Sequence, residues 1–282
     1  MHPTDSRPRA LRPILSALGF DRRAEVVRME SGWSNQVVRV RLGDAGCVAR
    51  IARRQPGTAR RRSEARVWAL ASAAGIAPPL LHLAPTTGVL VTHDVRASDL
   101  DLASGSPDNP ALEAIGALAA RFHGLPAPAQ PVTDPRIRIR LELKRAEASG
   151  ASIDALVVRL AQSMPDLSAD VLAHGDLIAA NVLLGARPWL VDFETAGRGD
   201  ADFDLVAFSR TLNLDADGTA ALFQGAQRAL PSHERLRALA SLFELREHAW
   251  ALARIAEGRT EAAIAEQRDQ SLAALRDLNR GD

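Results

Sequence analysis

Polar and hydrophobic residues alternate with a period of two near the start of the chain. Val38, Val40 and Leu42 alternate with two arginines, a pattern that predicts a half-buried strand. The small residues over 43–46 predict a hairpin turn that leads into a returning strand. The strands predicted in this part of the chain span 25–29, 38–42, 47–51 and 88–92.

The pattern has a helical period between these strands and through most of the remaining chain. A helix is predicted over 58–74, where Glu64 is the only acidic residue. Apolar residues between Leu112 and Phe122 mark one face of another helix, for which we predict Asn109 as the N-cap. Further helices are predicted over 10–18, 136–148 and 153–162 and in several segments of 212–282.

Composition and charge narrow the class of protein. The 282 residues are enough for one large domain or two lobes. A formal net charge of +1 gives no indication of a nucleic-acid or membrane-surface partner. The single cysteine, Cys47, excludes an internal disulfide and suits a reducing cytosol. We see neither a signal peptide nor the ~18 apolar residues of a membrane span, so we expect a cytoplasmic protein.

Two acidic residues and an amide stand at short spacings beside apolar segments in the middle of the chain. Asp176 and Asn181 lie in the segment HGDLIAAN over 174–181, and Asp192 lies in the segment VDFE over 191–194. Charged groups at the ends of buried strands are costly unless they bind a cation or take part in proton transfer. Phosphoryl transfer needs such a set, because one carboxylate orients the attacking hydroxyl while an amide and a second carboxylate hold magnesium on the nucleotide phosphates.

These two segments resemble a known family of enzymes. The pattern HGDxxxxN followed by DFE resembles the aminoglycoside phosphotransferase and choline kinase superfamily, whose members are relatives of protein kinases. The longer segment from Val191 to Gly197, with Asp204 and Leu205 beyond it, is most similar to the choline/ethanolamine and thiamine kinase branch.

The resemblance also implies a fold and a division of the chain. It covers roughly residues 25–210 and implies an α+β, bilobal, protein-kinase-like fold. A small N-lobe over 1–95, with an antiparallel sheet and one main helix, is expected to cover the nucleotide. A larger, mostly helical C-lobe over 96–282 is expected to carry the catalytic loop, the metal site and the acceptor-binding helices.

The resemblance assigns roles to the central residues. Asp176 is expected to be the catalytic base, with orientation of the acceptor hydroxyl as its main task. Asn181 and Asp192 are expected to bind Mg²⁺ through oxygen atoms. His174 is expected to support the loop, and Asp204 to hold it by accepting backbone N–H groups.

The N-terminal part of the chain carries the residues that the resemblance assigns to ATP. The segment over 32–35 matches a short loop of the family, although by itself it fits an ordinary hairpin turn equally well. Arg50 stands where kinases place a phosphate-binding lysine, and we predict that it pairs with Glu64. Residues 93–95 correspond to the hinge that binds adenine in the family, although these residues fit an ordinary surface position equally well. The residues assigned to ATP are Gly32, Ser34, Asn35, Arg50, Glu64, Thr92, His93 and Val95.

The acceptor is less well defined by the sequence. In the resembling enzymes the C-terminal helices build its pocket, with aromatic rings against a quaternary ammonium or with carboxylates against an amino sugar. Phe203 and Phe243 are available as rings and Glu244 as an acid, although Phe243 and Trp250 are better explained as core residues. The acceptor contacts that we expect are Glu194, Arg198, Glu247 and Trp250.

The sequence therefore predicts an ATP- and Mg²⁺-dependent kinase of a small alcohol such as choline, ethanolamine or thiamine, acting as a monomer or homodimer. An aminoglycoside or other amino-sugar kinase is the alternative with the same chemistry. A non-catalytic nucleotide-binding regulatory protein is the alternative of another class. Many relatives carry a cationic residue where Ile178 stands, so we expect the rate to depend more on Arg50 and the metal.

Overall fold

The chain divides into two compact units. The computed structural model describes residues 11–21, 23–29, 35–52, 58–95, 98–99, 107–128 and 132–280. The first unit, which we call the N-unit, comprises 1–101 and 180–196, and the second, the C-unit, comprises 102–179 and 197–282. The predicted boundary after Val95 differs from this division, because it leaves 180–196 with the C-terminal part of the chain.

A five-stranded antiparallel sheet forms the centre of the N-unit. Its strands are β1 (Glu25–Met29), β2 (Asn35–Leu42), β3 (Ala45–Ala52), β4 (Leu80–Ala84) and β5 (Val89–His93), in the spatial order β1-β2-β3-β5-β4. Helix α1 (Arg12–Ala17) precedes the sheet, and helix α2 (Thr58–Ala73) connects β3 to β4. The predicted strands and the predicted main helix are confirmed.

One face of this sheet packs against the segment that contains α1. Val38 and Val40 are buried while Arg41 is exposed, which accounts for the alternation in the sequence. Leu11 and Leu15 are fully buried against the same cluster. The other buried members of this cluster are Phe20, Cys47, Ala49, Val89 and Val91.

The burial of Cys47 predicts an unreactive thiol in the folded protein. Burial, together with the negative charge of Asp94, raises the pKa of Cys47 from its ordinary value of 9.0 to about 11. At pH 8 we therefore expect Ellman's reagent to modify the unfolded protein at least ~100-fold faster than the folded protein. Between pH 9 and 11 the unfolded state releases a proton that the folded state keeps, so the free energy of unfolding should fall with rising pH. Rapid labelling without denaturant would contradict the burial of this strand.

A second, three-stranded sheet explains why 180–196 belongs to the N-unit. Strand β8 (Val182–Leu184) pairs with β6 (Ser98–Asp99) on one side and with β9 (Pro188–Leu190) on the other. The Leu190 amide donates to the Ile76 carbonyl at 3.0 Å, and the ring of Phe193 packs edge-on against Trp68 of α2 with centroids 4.8 Å apart. These contacts fix the β8–β9 hairpin within the N-unit.

The C-unit is mostly helical. Its helices are α3 (Asn109–His123), α4 (Pro135–Ala148), α5 (Ala155–Gln162), α6 (Ala201–Thr211), α7 (Ala216–Gly225), α8 (His233–Ala256) and α9 (Ala262–Leu278). A short antiparallel pair, β7 (Val171–Ala173) and β10 (Gly197–Gly199), accompanies them. The predicted α+β class is therefore confirmed. Within the described segments, no helix combines the length and the hydrophobicity needed to cross a bilayer.

The start of α3 differs from the prediction. Asp108, not Asn109, is the N-cap, and its carboxylate accepts the Ala111 N–H at 3.0 Å. Asn109 and Pro110 are the first helical residues, where proline's missing N–H costs nothing. A carboxylate at this end is also favoured by the helix dipole, which explains why the cap falls on the aspartate.

Helices α3 and α7 approach each other through two glycines. A Cβ atom on Gly116 of α3 would overlap the carbonyl oxygen of Leu222 and lie 2.8 Å from the Ala226 nitrogen. A Cβ atom on Gly225 of α7 would overlap the carbonyl oxygen of Glu113. The contact is therefore reciprocal and involves backbone on both helices, so neither glycine has room for a side chain.

Candidate active site

In the C-unit, Asp204 of α6 fixes the loop that follows β7. Its Oδ2 accepts the His174 N–H at 2.6 Å and its Oδ1 accepts the Gly175 N–H at 2.9 Å. His123 Nε2 lies 3.0 Å from Oδ2. The Asp204 carboxylate is completely buried, and these three contacts offset the cost of removing it from water. This is the arrangement expected of a residue that holds the loop.

The same loop presents Asp176 with a partly exposed side chain. Gly175, immediately before it, has a φ of 73°, a left-handed conformation that glycine adopts without steric cost. The Asp176 side chain is 28% exposed, and its Oδ1 lies 3.0 Å from Nη2 of Arg246 in α8. His174 is fully buried, with its ring against Phe122 at 5.8 Å between centroids. The loop therefore combines a rigid backbone with a carboxylate that reaches solvent.

Arg246 is a site residue that the sequence interpretation missed. It lies on the buried face of α8 at helical spacing from Leu239, Leu242 and Phe243, all of which are buried. An arginine within an apolar stripe is unusual, because a buried guanidinium must find several acceptors. The position of Arg246 within this apolar stripe is the feature of the sequence that could have identified it as a site residue.

In the N-unit, Asn181 and Asp192 lie at the same end of the β8–β9 hairpin. Asn181 immediately precedes β8, Asp192 follows shortly after β9, and the Val191 amide donates to the Asn181 carbonyl at 3.0 Å. Asn181 is 8% exposed as a residue, and the Asp192 side chain is 32% exposed. Asp192 has a φ of 64°, a left-handed conformation that few residues other than glycine, asparagine and aspartate adopt. The hairpin thus carries a residue with a neutral amide and a residue with a carboxylate at the same end.

The predicted pairing of Arg50 with Glu64 is confirmed. Nη2 of Arg50 in β3 donates to Oε1 of Glu64 in α2, and Nη1 donates to Oδ1 of Asp192 at 2.6 Å. The Arg50 Cζ also lies 6.0 Å from the centre of the Trp68 ring. One guanidinium therefore connects the sheet, the helix and the hairpin of the N-unit. Its role towards a nucleotide remains a prediction.

Of the other residues assigned to ATP, those that the structure describes lie at or near the ends of strands in the five-stranded sheet. Gly32 and Ser34 fall outside the described residues. Asn35 is buried at the start of β2, and Thr92 is buried near the end of β5. The backbone N–H of the exposed His93 already donates to the Pro79 carbonyl at 2.9 Å, so an adenine contact from His93 would use other atoms. Val95 is half-buried directly after this strand.

The four residues predicted to contact the acceptor are distributed over both units. Glu194 lies in a 3₁₀ turn of the N-unit, where its carbonyl oxygen accepts from Nε of Arg60 at 3.0 Å. Arg198 in β10 donates from Nε and Nη2 to the Ala169 carbonyl at 3.0 and 2.7 Å. Glu247 and Trp250 are half-buried in α8. Their acceptor role remains a prediction, and the Arg198 guanidinium is engaged by the C-unit backbone here.

Most of the chain matches a known protein family. The model of the phosphotransferase enzyme family (APH) matches residues 25–239, which is most of the chain. No curated protein sequence matched the chain.

Several solved structures share the fold of this protein. A choline/ethanolamine kinase family protein from Mesorhizobium loti is 24% identical with a TM-score of 0.75, over 96% of this chain and 92% of that chain. Choline kinase LicA from Streptococcus pneumoniae is 15% identical with a TM-score of 0.72, over 95% and 98% of the two chains. The macrolide 2'-phosphotransferase MphH from Brachybacterium faecium is 19% identical with a TM-score of 0.64, over 97% and 98%.

These similarities confirm the predicted kinase-like fold and the suspected superfamily. At identities below 25% the solved structures establish the fold and leave the substrate class open. The family match is stronger evidence, because it includes the segments that carry Asp176, Asn181 and Asp192. By this match, the chain belongs to the phosphotransferase enzyme family.

Proposed function

We propose that this protein is an ATP- and Mg²⁺-dependent kinase that transfers the γ-phosphoryl group to a hydroxyl of a small molecule. The observation that carries the proposal is the fixed loop at Asp176, whose backbone is held by Asp204 and whose carboxylate reaches solvent. Such a carboxylate can accept the hydroxyl proton while holding the oxygen in line with the phosphorus atom. Proximity and orientation of this kind supply much of the rate in phosphoryl transfer.

The residues of the N-unit suit the nucleotide and its metal ion. Asn181 and Asp192 would hold Mg²⁺, because a neutral amide oxygen and a carboxylate oxygen at one end of a hairpin are the hard ligands that this ion takes together with phosphates. When bound, the ion neutralises charge on the transferred phosphoryl group. Arg50, which is held by Glu64, would pair with phosphate oxygens.

For the acceptor, we propose the choline, ethanolamine or thiamine class first. The amino-sugar alternative requires several carboxylates that converge on ammonium groups, and the two α8 acids considered for this role, Glu244 and Glu247, are both engaged by arginines. Arg210 Nη2 lies 2.8 Å from Glu244 Oε1, and Arg246 Nε lies 2.9 Å from Glu247 Oε1. Burial raises the pKa of Glu244, and the nearby Arg210 opposes this shift.

The structure also limits how a quaternary ammonium would be bound. Phe203 and Phe243 are buried, and the Arg246 Cζ lies 5.7 and 5.0 Å from their ring centres. Because these rings already contact a cation, a choline-type acceptor would have to use other groups, such as the half-buried Trp250. This favours the smaller primary amine, ethanolamine, among the compounds to test.

The proposal is tested by acceptor-dependent release of ADP. Mg-ATP would be offered with choline, ethanolamine, thiamine and several aminoglycosides, and the phosphorylated product would be identified by mass spectrometry. We expect one acceptor of the first class to raise ADP release at least ~10-fold over the acceptor-free rate, and excess EDTA to abolish this release. Turnover of aminoglycosides alone would support the amino-sugar alternative. Nucleotide binding without turnover of any acceptor would favour a non-catalytic regulatory protein.

The proposal also covers the location, oligomeric state and binding partners of the enzyme. We propose a cytoplasmic location, supported by the single buried cysteine, which needs no oxidising compartment. We propose a monomer or homodimer, with a small-molecule partner and neither nucleic acid nor membrane as a ligand. Size-exclusion chromatography with light scattering would decide between the two oligomeric states.

A further inference from the structure

Arg246 carries a positive charge in the interior of the C-unit. Its side chain is 2% exposed, in the middle of the 24-residue helix α8. A buried guanidinium is costly unless acceptors surround it, so the identity of those acceptors indicates what the arginine does. Burial alone would lower the pKa of Arg246, but the carboxylates of Glu247 and Asp176 raise it above its ordinary value. The residue is therefore charged at every pH at which the protein works.

The guanidinium contacts the loop of Asp176 at two points. Nη1 donates to the Gly175 carbonyl at 2.8 Å, and Nη2 lies 3.0 Å from Asp176 Oδ1. One contact is with the main chain just before Asp176 and the other is with its carboxylate. The first contact is a hydrogen bond, and the second is an ion pair without hydrogen-bond geometry. Because both nitrogens belong to one rigid plane, the two contacts together restrict the Asp176 side chain relative to its own backbone.

The guanidinium is itself held from the opposite side. Its Nε donates to Glu247 Oε1 at 2.9 Å, and Glu247 Oε2 accepts from Nε2 of Gln267 in α9. The rings of Phe203 and Phe243 lie next to it. A chain of contacts thus runs from α9 through Glu247 and Arg246 to Asp176, and packing restricts the rotamer of its central member.

We propose that Arg246 is a positioning residue for the proposed kinase reaction, which sets the plane of the Asp176 carboxylate. This inference rests on the proposed function, in which Asp176 orients the acceptor hydroxyl. With Oδ1 in an ion pair with Arg246, the direction of Oδ2 is restricted as well. Misplacement of a reacting group by about 1 Å can lower a rate about 100-fold, so an arginine that never touches the substrate can control kcat.

Two substitutions separate positioning from charge. Arg246→Met keeps the aliphatic stem but removes both contacts with the loop, and we expect kcat to fall about 100-fold while the KM values for ATP and acceptor stay within about threefold. Arg246→Lys keeps the charge without the planar fork, so we expect it to recover about 10-fold of that loss. Because Asp176 and Glu247 are 28% and 24% exposed, neither carboxylate becomes a buried, uncompensated charge in these variants.

Arg254 provides a matched control on the same helix. Its Nη2 lies 2.6 Å from Oε2 of the buried Glu142. Arg254→Met therefore removes a comparable buried ion pair of the C-unit, and we expect it to lower the thermal midpoint while kcat stays within about twofold of wild type. A general effect of losing an arginine from α8 would lower kcat in both variants.

A double-mutant cycle tests whether Arg246 acts through Asp176. In the Asp176→Asn background we expect Arg246→Met to lower the remaining kcat by less than about threefold, because the carboxylate that it positions is already gone. The full 100-fold loss in that background, or an unchanged kcat in folded Arg246→Met, would overturn the inference. If Asp176→Asn itself has no effect on turnover, the proposed role of Asp176 as the base fails instead.

Crystal structures provide a test that does not depend on activity. We expect the Asp176 side chain to occupy one rotamer in the wild type and to be spread over several in Arg246→Met, under matched conditions. A single, unchanged Asp176 rotamer in the variant would overturn the positioning role even if the acceptor remained unidentified.

Discussion

Replacing Asp176 with asparagine is expected to lower kcat for the acceptor about 1,000-fold, within the ~10²–10⁴-fold range of a lost general base. Asparagine has the same size but cannot accept the hydroxyl proton. Arg246 would keep its contacts with Glu247 and the Gly175 carbonyl, so the loop should remain in place. We therefore expect the KM for Mg-ATP and the thermal midpoint to stay close to the wild-type values, and steady-state kinetics with calorimetry would measure both.

Asp170 offers a matched control for this substitution. It is exposed directly before β7, on the same segment of the C-unit. Asp170→Asn removes the same charge from the surface and should leave kcat unchanged within about twofold. If Asp176→Asn retained wild-type turnover, Asp176 would not be the base, and another group would have to orient the acceptor.

Alanine at Gly116 or Gly225 is expected to destabilise the C-unit by about 3 kcal/mol or more, the upper end of the cost of overpacking. In each variant the new methyl group would meet backbone of the facing helix, which cannot turn away as a side chain can. The two helices would have to separate and lose apolar contact along their length. For a chain of this size, such a loss corresponds to a fall of roughly 5–10 °C in the thermal midpoint.

Gly124 provides the comparison for this pair. It is the C-cap of α3 with a φ of −78°, and an added Cβ would meet only the Ala120 and Arg121 carbonyl oxygens, at 3.5 and 3.6 Å. Gly124→Ala should be neutral or stabilise the fold by up to about 1 kcal/mol, because alanine restricts the unfolded chain. Equal losses at Gly124 and Gly116 would show that the close approach of the two helices does not determine the effect.

The sequence predicted local features of the N-unit well. The alternation at Val38 and Val40 identified the sheet, since burial on one face leaves a period of two. The pairing of Arg50 with Glu64 could be predicted because α2 offers a single acidic residue. The role of Asp204 came from the resemblance to a family, and its contacts with the His174 and Gly175 amides are of the expected kind.

Features that depend on distant parts of the chain were not predicted. Arg246 is seventy residues beyond Asp176, and a hydrophobic pattern does not reveal which loop a buried arginine meets. The close approach of α3 and α7 at Gly116 and Gly225 could not be predicted from the sequence either. Glycine residues within a helix follow no periodic pattern that would mark such a contact. The grouping of 180–196 with the N-unit follows from contacts of Leu190 and Phe193 that join segments more than a hundred residues apart.

The assignment of 180–196 to the N-unit has a consequence for dissecting the protein. Each unit consists of two separate segments of the chain. A single cut in the polypeptide therefore cannot yield both units intact. A fragment that ends at residue 101 would lack the β8–β9 hairpin, and with it Asn181, Asp192 and the ring that packs on Trp68. A binding assay on such a fragment would therefore examine a sheet that lacks the two residues proposed to bind the metal ion. Fragment complementation, in which a peptide over 180–196 is added back, is the form in which the N-unit can be studied alone.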